Sequence, residues 1–131
     1  MSAHEIISEK LAHPPAFGSP TAQAVRAGNF IYVSGMIAWD KDRKIIGVGD
    51  VEVQTNSVID NIEWVLEAAG AKLADIVKIT FYLSDIRDKS AVWEVRKKRF
   101  GDCRPASTLV EVSHFVDPHA LLEVDAVAYL K

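Results

Sequence analysis

The hydrophobic spacing of the chain changes period at Gly70, and that change limits the folds open to it. Upstream, Val58, Ile59, Ile62, Val65, Leu66 and Ala69 recur at the spacing that lays one apolar stripe along a helix over residues 51–69. Asp50 is placed to cap its start and Gly70 its end. Downstream, Val77, Ile79, Phe81 and Leu83 alternate with Lys78, Thr80 and Tyr82, which is the period of a strand with one apolar face. A striped helix followed at once by a one-faced strand predicts layered α+β packing.

The remaining elements fit that plan. Residues 22–26 and 30–34 are β-compatible runs separated by Ala27-Gly28-Asn29, where Gly and Asn tolerate the positive φ of a tight hairpin. Pro14, Pro15, Gly18 and Pro20 make residues 13–20 an irregular lead-in, with the fold proper expected to begin after it. The polar run Asp40 to Lys44 reads as an exposed turn before a short strand at Ile45-Ile46. A second helix is expected over residues 89–100, with Asp88 as its cap and Gly101 after its end, and two further strands over 107–112 and 121–130.

The predicted order is β-β-β-α-β-α-β-β in a single domain, residues 1–131: a mixed sheet of about six strands with two helices on one face. The other face needs a cover. Phe30 and Tyr32 oppose Ile31 and Val33, and Val127 and Tyr129 oppose Ala126 and Ala128, so these strands are apolar on both sides. Such a face left in water exceeds the apolar patch a soluble monomer usually tolerates, which predicts a symmetric homo-oligomer built on it.

Composition narrows the function classes. An apolar fraction of 49% with 25% charged residues is that of a globular protein. No stretch approaches the roughly 18 uninterrupted apolar residues of a membrane span. The N-terminus lacks the basic and apolar regions of a secretory signal, so no membrane association and a cytoplasmic location are the default expectations. Cys103 is the only cysteine, which excludes an intrachain disulfide and a multi-cysteine metal site. His4, His13, His114 and His119 have no metal-ligand spacing, and no cofactor is expected. A net charge of -3 opposes nucleic-acid binding. The basic cluster Arg96-Lys97-Lys98-Arg99 reads as a solvated helix face diluted by Glu94 and Asp102.

Four segments, in order, carry a family resemblance. They are Gly28 to Gly35 (GNFIYVSG), Gln54-Thr55 with Asn61-Ile62, Ala68-Ala69-Gly70-Ala71 running into Asp75-Ile76-Val77-Lys78, and Pro105-Ala106 followed by Leu122-Glu123-Val124. Together they resemble the Rid, or YjgF-type, family of reactive-intermediate deaminases, also described as endoribonuclease L-PSP-like. The resemblance implies a chorismate-mutase-like α+β fold and a homotrimer with a small-molecule cleft at each subunit interface. It also implies a glutamate on the last strand that positions the water hydrolysing C=N, and an arginine after the Pro-Ala pair that grips the carboxylate of a 2-imino acid.

Glu123 matches the glutamate, and Ser34-Gly35 match the backbone segment lining the cleft. Ser107 stands where the arginine belongs, Thr21 where a tyrosine is usual, and Trp93 where an asparagine is frequent. Without the guanidinium fork, weak activity on simple 2-imino acids is expected. Arg104, at an odd separation from Ser107, is expected to point to the opposite face, which leaves Arg96 or Arg99 as alternatives from a neighbouring subunit.

Glu123 is flanked by Leu121, Leu122 and Val124, which makes a carboxylate there costly to bury without a role. Asp125 shares its strand face and reads as a solvated or salt-bridged carboxylate. Trp93 serves either interface packing or a wider, more apolar pocket. Ser107 and Thr108 are hydroxyls able to donate to a ligand oxygen or to neighbouring structure, and Cys103 lacks a base partner. The function expected is hydrolysis of a small imine or enamine, with Glu123 as the catalytic residue and Thr21, Ser34, Gly35, Trp93, Ser107 and Thr108 around the substrate. The alternative is a trimer that binds a small ligand or partner without chemistry; a ribonuclease role fits the acidic balance least.

Overall fold

The computed structural model describes residues 3–131. The elements are strands β1 (His4–Ile6), β2 (Ala24–Ala27), β3 (Phe30–Met36), β4 (Ile76–Leu83), β5 (Ala106–Glu111) and β6 (Leu122–Tyr129), with helices α1 (Val51–Ala68) and α2 (Lys89–Phe100). They form one six-stranded sheet in the order β1-β2-β3-β6-β4-β5. Only β4 and β5 run parallel, joined by the α2 crossover, so the sheet is mixed as expected.

Helix α1 forms where its stripe predicts. The Asp50 carboxylate accepts a hydrogen bond from the Val53 N–H at 3.0 Å. Gly70, at φ 81, lets the chain leave through a left-handed residue while the Ala71 N–H donates back to the Leu66 carbonyl. Val58, Ile59, Ile62, Val65 and Leu66 are all buried against the sheet, whose inner face presents Ile31, Val33, Ile79, Phe81, Leu83, Leu122, Val124, Ala126 and Ala128. The β2–β3 hairpin turns at Gly28-Asn29, with Ala27 paired to Phe30 and Gly28 at φ 61.

Four details differ from the sequence reading. The sixth strand is β1, in the N-terminal lead-in, and not Ile45-Ile46, which contributes only an isolated bridge between Trp39 and Ile45. Gly47 and Gly49, both at positive φ, end that extended stretch before a ladder can grow. Val77 does not share the inner face: the β4–β6 register shifts between Ile76 and Lys78, which turns Ile76 inward and leaves Val77 44% exposed. Asp88 sits at the start of α2 without a side-chain capping bond, because a short 3₁₀ turn over Ile86–Asp88 runs straight into the helix.

The fourth concerns the basic cluster, which is not a uniformly solvated face. Arg99 ties α2 to α1, with its guanidinium donating to the Asn56 carbonyl and pairing with Asp60 at 2.7 Å, and Arg96 turns in towards the sheet. The outer face of the sheet carries the expected apolar residues in the open. Phe30, Tyr32 and Tyr129 pack on one another and remain 40%, 50% and 39% exposed.

Two buried amides of α1 hold the irregular chain beyond the sheet. Gln54 donates to the Gly47 and His119 carbonyls and accepts from the Leu121 N–H at 2.8 Å. Asn61 donates to the carbonyls of Ile37 and Trp39. Each amide satisfies backbone groups that have no ladder partner, which gives the Gln54 and Asn61 positions a structural reason. Gln54→Leu strands three such groups at once, and we expect it to lower stability by about 1–3 kcal/mol. Urea unfolding checks this: the midpoint should fall while the denaturant slope is unchanged.

Candidate functional site

The site grows from a pairing irregularity. β3 and β6 pair regularly from Phe30 to Val33, then shift register before Met36, so Ser34 and Gly35 leave the ladder beside Glu123. Glu123 pairs with Tyr82 across β6–β4 and therefore stands on the outer face of the sheet. Gly35 leaves room for the carboxylate where it stands. A Cβ at this position would lie 2.9 Å from the Glu123 carboxyl carbon and closer still to Oε2, so any larger residue here would displace the carboxylate from its present position.

Around this contact lies a cavity of about 470 Å³ lined by Thr21, Ser34, Gly35 and Glu123, together with Leu11, Phe17, Trp39 and Val116. The N-terminal lead-in forms one wall. Gln23 anchors it, accepting from the Ser8 N–H at 2.7 Å and donating to the carbonyls of Ser8 and Ala12. Ser34 Oγ donates to the Ala22 carbonyl at 2.6 Å, and Thr21 Oγ1 shares a 2.8 Å hydrogen bond with Ser19 Oγ. Both hydroxyls are thus held by neighbouring groups, and each keeps acceptor capacity.

Glu123 differs from its neighbours in having no hydrogen-bond donor or cation on its carboxylate among the described residues. Desolvation by burial, followed by repulsion from Asp125, raises its pKa above the ordinary glutamate value. Asp125 accepts a 2.9 Å hydrogen bond from the Tyr82 hydroxyl, so its protein partner among the described residues is a phenol and not a lysine or arginine. The arrangement is a half-buried carboxyl of raised proton affinity, in a mostly apolar cavity, next to a second carboxylate with its own donor. Chemically it suits proton relay to and from a water molecule.

The other expected residues lie elsewhere on the chain. Trp93 and Ser107 line a separate concavity of about 510 Å³ between α2 and the start of β5. Ser107 pairs with Ile79 and so faces the helix side of the sheet, opposite to Glu123. Thr108 is on the outer face, where its hydroxyl accepts from Lys78 Nζ at 2.9 Å. Arg104 and Ser107 line the same concavity, contrary to the odd-spacing argument, because β5 begins only at Ala106 and strand alternation does not extend back across Pro105. Phe17, Trp39 and Val116 were not singled out from sequence. They sit on the lead-in and two loops, where no periodicity marks an inward-facing residue.

Comparison with known proteins agrees with this architecture. Residues 12–130 match the family model described as Endoribonuclease L-PSP. The chain is 42% identical to a RutC family protein of Pyrococcus abyssi, with 98% of each chain covered. It is 35% identical to the 3-aminoacrylate deaminase RutC of Acinetobacter baylyi, over 96% of this chain and 98% of the relative. Among solved structures, a Rid-family protein of Yersinia pestis superposes with a TM-score of 0.89 at 31% identity, over 98% of this chain and all of the other.

The environment of Glu123 fixes the sign of a pH effect. A carboxyl whose pKa is raised in the folded state binds its proton more tightly there than in the unfolded chain. Its stabilising contribution is therefore complete below the ordinary glutamate pKa and is lost as pH rises through the raised value. Glu123→Gln has no such loss. We expect its stability relative to wild type to increase between acidic and neutral pH, as measured by unfolding both proteins across that range; a relative decrease would contradict the desolvated environment.

Proposed function

Starting from the fact that this chain belongs to the Endoribonuclease L-PSP, or Rid, family of imine and enamine deaminases, we propose that it hydrolyses a small enamine- or imine-type metabolite, with Glu123 directing the water. The observation that carries this reading is the unpaired, desolvated Glu123 carboxyl pressed against Gly35 in the cavity. An enamine first takes a proton from solvent at carbon and gives one up from nitrogen to become the imine. Water then adds to the C=N carbon as the carboxylate accepts its proton, that proton is delivered to nitrogen to give the carbinolamine, and the C–N bond breaks as the hydroxyl proton passes to nitrogen, leaving a carbonyl compound and ammonia. A group of raised proton affinity suits both halves of that transfer at neutral pH.

The substrate is not a simple 2-imino acid on this reading. Ser107 offers a hydroxyl where a bidentate cation would grip a carboxylate adjacent to the reacting carbon. The likeness to a 3-aminoacrylate deaminase points to an enamine whose carboxylate is one carbon further from the nitrogen. The homotrimer belongs to the same proposal, supported by the exposed aromatic face of Phe30, Tyr32 and Tyr129. Tyr32→Glu places an unpaired charge on that face, so size-exclusion chromatography with light scattering should find a smaller species than wild type, folded by circular dichroism.

Ammonia release decides the chemistry. We expect release from 3-aminoacrylate generated in situ to exceed release from 2-iminopropanoate by at least tenfold, roughly the effect of one charge-assisted hydrogen bond. Glu123→Gln should reduce turnover by about 100-fold or more, the scale of a lost general base. Gly35→Ala should reduce it through displacement of the carboxylate while the fold survives. Faster turnover of 2-iminopropanoate would remove the substrate assignment, and full activity of Glu123→Gln would remove that residue from the mechanism. Absence of ammonia release from either substrate would leave the ligand-binding alternative.

A further inference from the structure

The concavity between α2 and β5 has a charge that the rest of the chain does not. Its lining includes Arg96, Lys97 and Arg104 and no carboxylate, in a protein of net charge -3. Lys97 is turned to Glu94 at 3.2 Å, and Arg104 is exposed. Arg96 is different: its guanidinium is half-buried, lies 5.1 Å from the centre of the Phe81 ring, and donates through Nη1 to Ser107 Oγ at 2.7 Å. Among the described residues it has no acidic partner. A guanidinium carries five N–H donors, and this contact uses one of them. Burial also disfavours its charged form, the situation that an anion relieves.

We infer that Arg96 is an anion-binding residue, and that this concavity takes the carboxylate of a small organic acid against the Arg96 fork with Ser107 holding the fork in place. The walls decide between anions. Trp93, Phe100, Pro105 and Leu109 are apolar, which suits a singly charged carboxylate on a short carbon chain better than strongly hydrated, doubly charged phosphate. The residue choice explains the serine. An arginine at position 107 would project its own guanidinium well beyond the strand, whereas Arg96 brings one only as far as the Ser107 hydroxyl. The cation is set back, and a longer acid fits in front of it.

Taking this anion to be the substrate's carboxylate rests on the deaminase reading; the binding itself does not. The test is therefore a titration with unreactive propanoate, followed by proton–nitrogen NMR at the Arg96 Nε–H and the Trp93 indole N–H. Inorganic phosphate is the competing probe. Propanoate should shift both signals in wild type. Arg96→Met, which keeps an unbranched stem over Phe81, should weaken binding by at least about tenfold, and Ser107→Ala should weaken it less. Should Arg96→Met fail to fold, Arg96→Lys decides, since it keeps the charge and loses the fork: weakened binding supports the inference and full affinity overturns it.

Unchanged affinity in Arg96→Met overturns the inference. So does tighter binding of phosphate than of propanoate, or the absence of any propanoate shift in wild type up to about 50 mM, a limit already weaker than the millimolar range. Failure of the Glu123→Gln assay with propanoate still bound at Arg96 would remove the deaminase reading and leave the anion site standing.

Discussion

Strand β6 lies between β3 and β4, and its alternation organises both the core and the site. Leu122, Val124, Ala126 and Ala128 turn towards the helices and are buried, so the strand cannot slip by one residue without exchanging them for Glu123, Asp125, Val127 and Tyr129. Burial of the first set thus fixes the outward position of the second. The carboxylate of the site is located by a hydrophobic register to which it contributes nothing.

The same strand explains why the neighbouring segment is irregular. Regular pairing with β3 reaches Val33↔Ala126 and resumes at Met36↔Val124 after a register shift. That shift releases Ser34 and Gly35 beside Glu123, and the missing Cβ at position 35 is what lets the two approach. A half-buried carboxylate without a donor is unfavourable, and the sheet tolerates it because the hydrophobic stripe on the opposite side of β6 is intact. Asp125 extends the pattern along the strand. Its hydrogen bond from Tyr82 satisfies it locally, while its charge opposes ionisation of Glu123 two residues away.

Legibility from the sequence followed periodicity closely. Helix α1, the alternation of β4 and β6 and the two-faced apolar strands could be read because burial writes a repeat into neighbouring residues. The failures fall where a single residue breaks the repeat. Val77 belongs to the alternating series on paper, and a bulge that no residue type announces turns Ile76 in instead. Strand β1 has only His4, Glu5 and Ile6 and is recruited by the free edge of β2, a tertiary effect without a local signal. In the site, Glu123 and Gly35 were legible because resemblance and spacing agreed. Arg96 was named from sequence only as one of two candidates: its partner Ser107 is 11 residues away on another element, and the choice against Arg99 depends on Asp60 and Asn56 of α1 having already claimed that second guanidinium.

The placement of charge has a consequence for assembly. Glu123 stands on the outer face of β6, and Ser107 with Arg96 stands on the helix side at the β5 edge, so one copy of the sheet separates the carboxyl from the guanidinium. A molecule that is gripped at Arg96 and hydrolysed at Glu123 must then lie between two copies of the chain, touching the helix side of one and the outer face of the next. The exposed aromatic face built from Phe30, Tyr32 and Tyr129 adjoins the Glu123 row through β3 and β6, so covering it with a second copy brings foreign residues towards the carboxylate. On the proposed function, the apolar face that makes the isolated chain incomplete and the cation that the Glu123 cavity lacks are two aspects of one requirement, met by the same act of association.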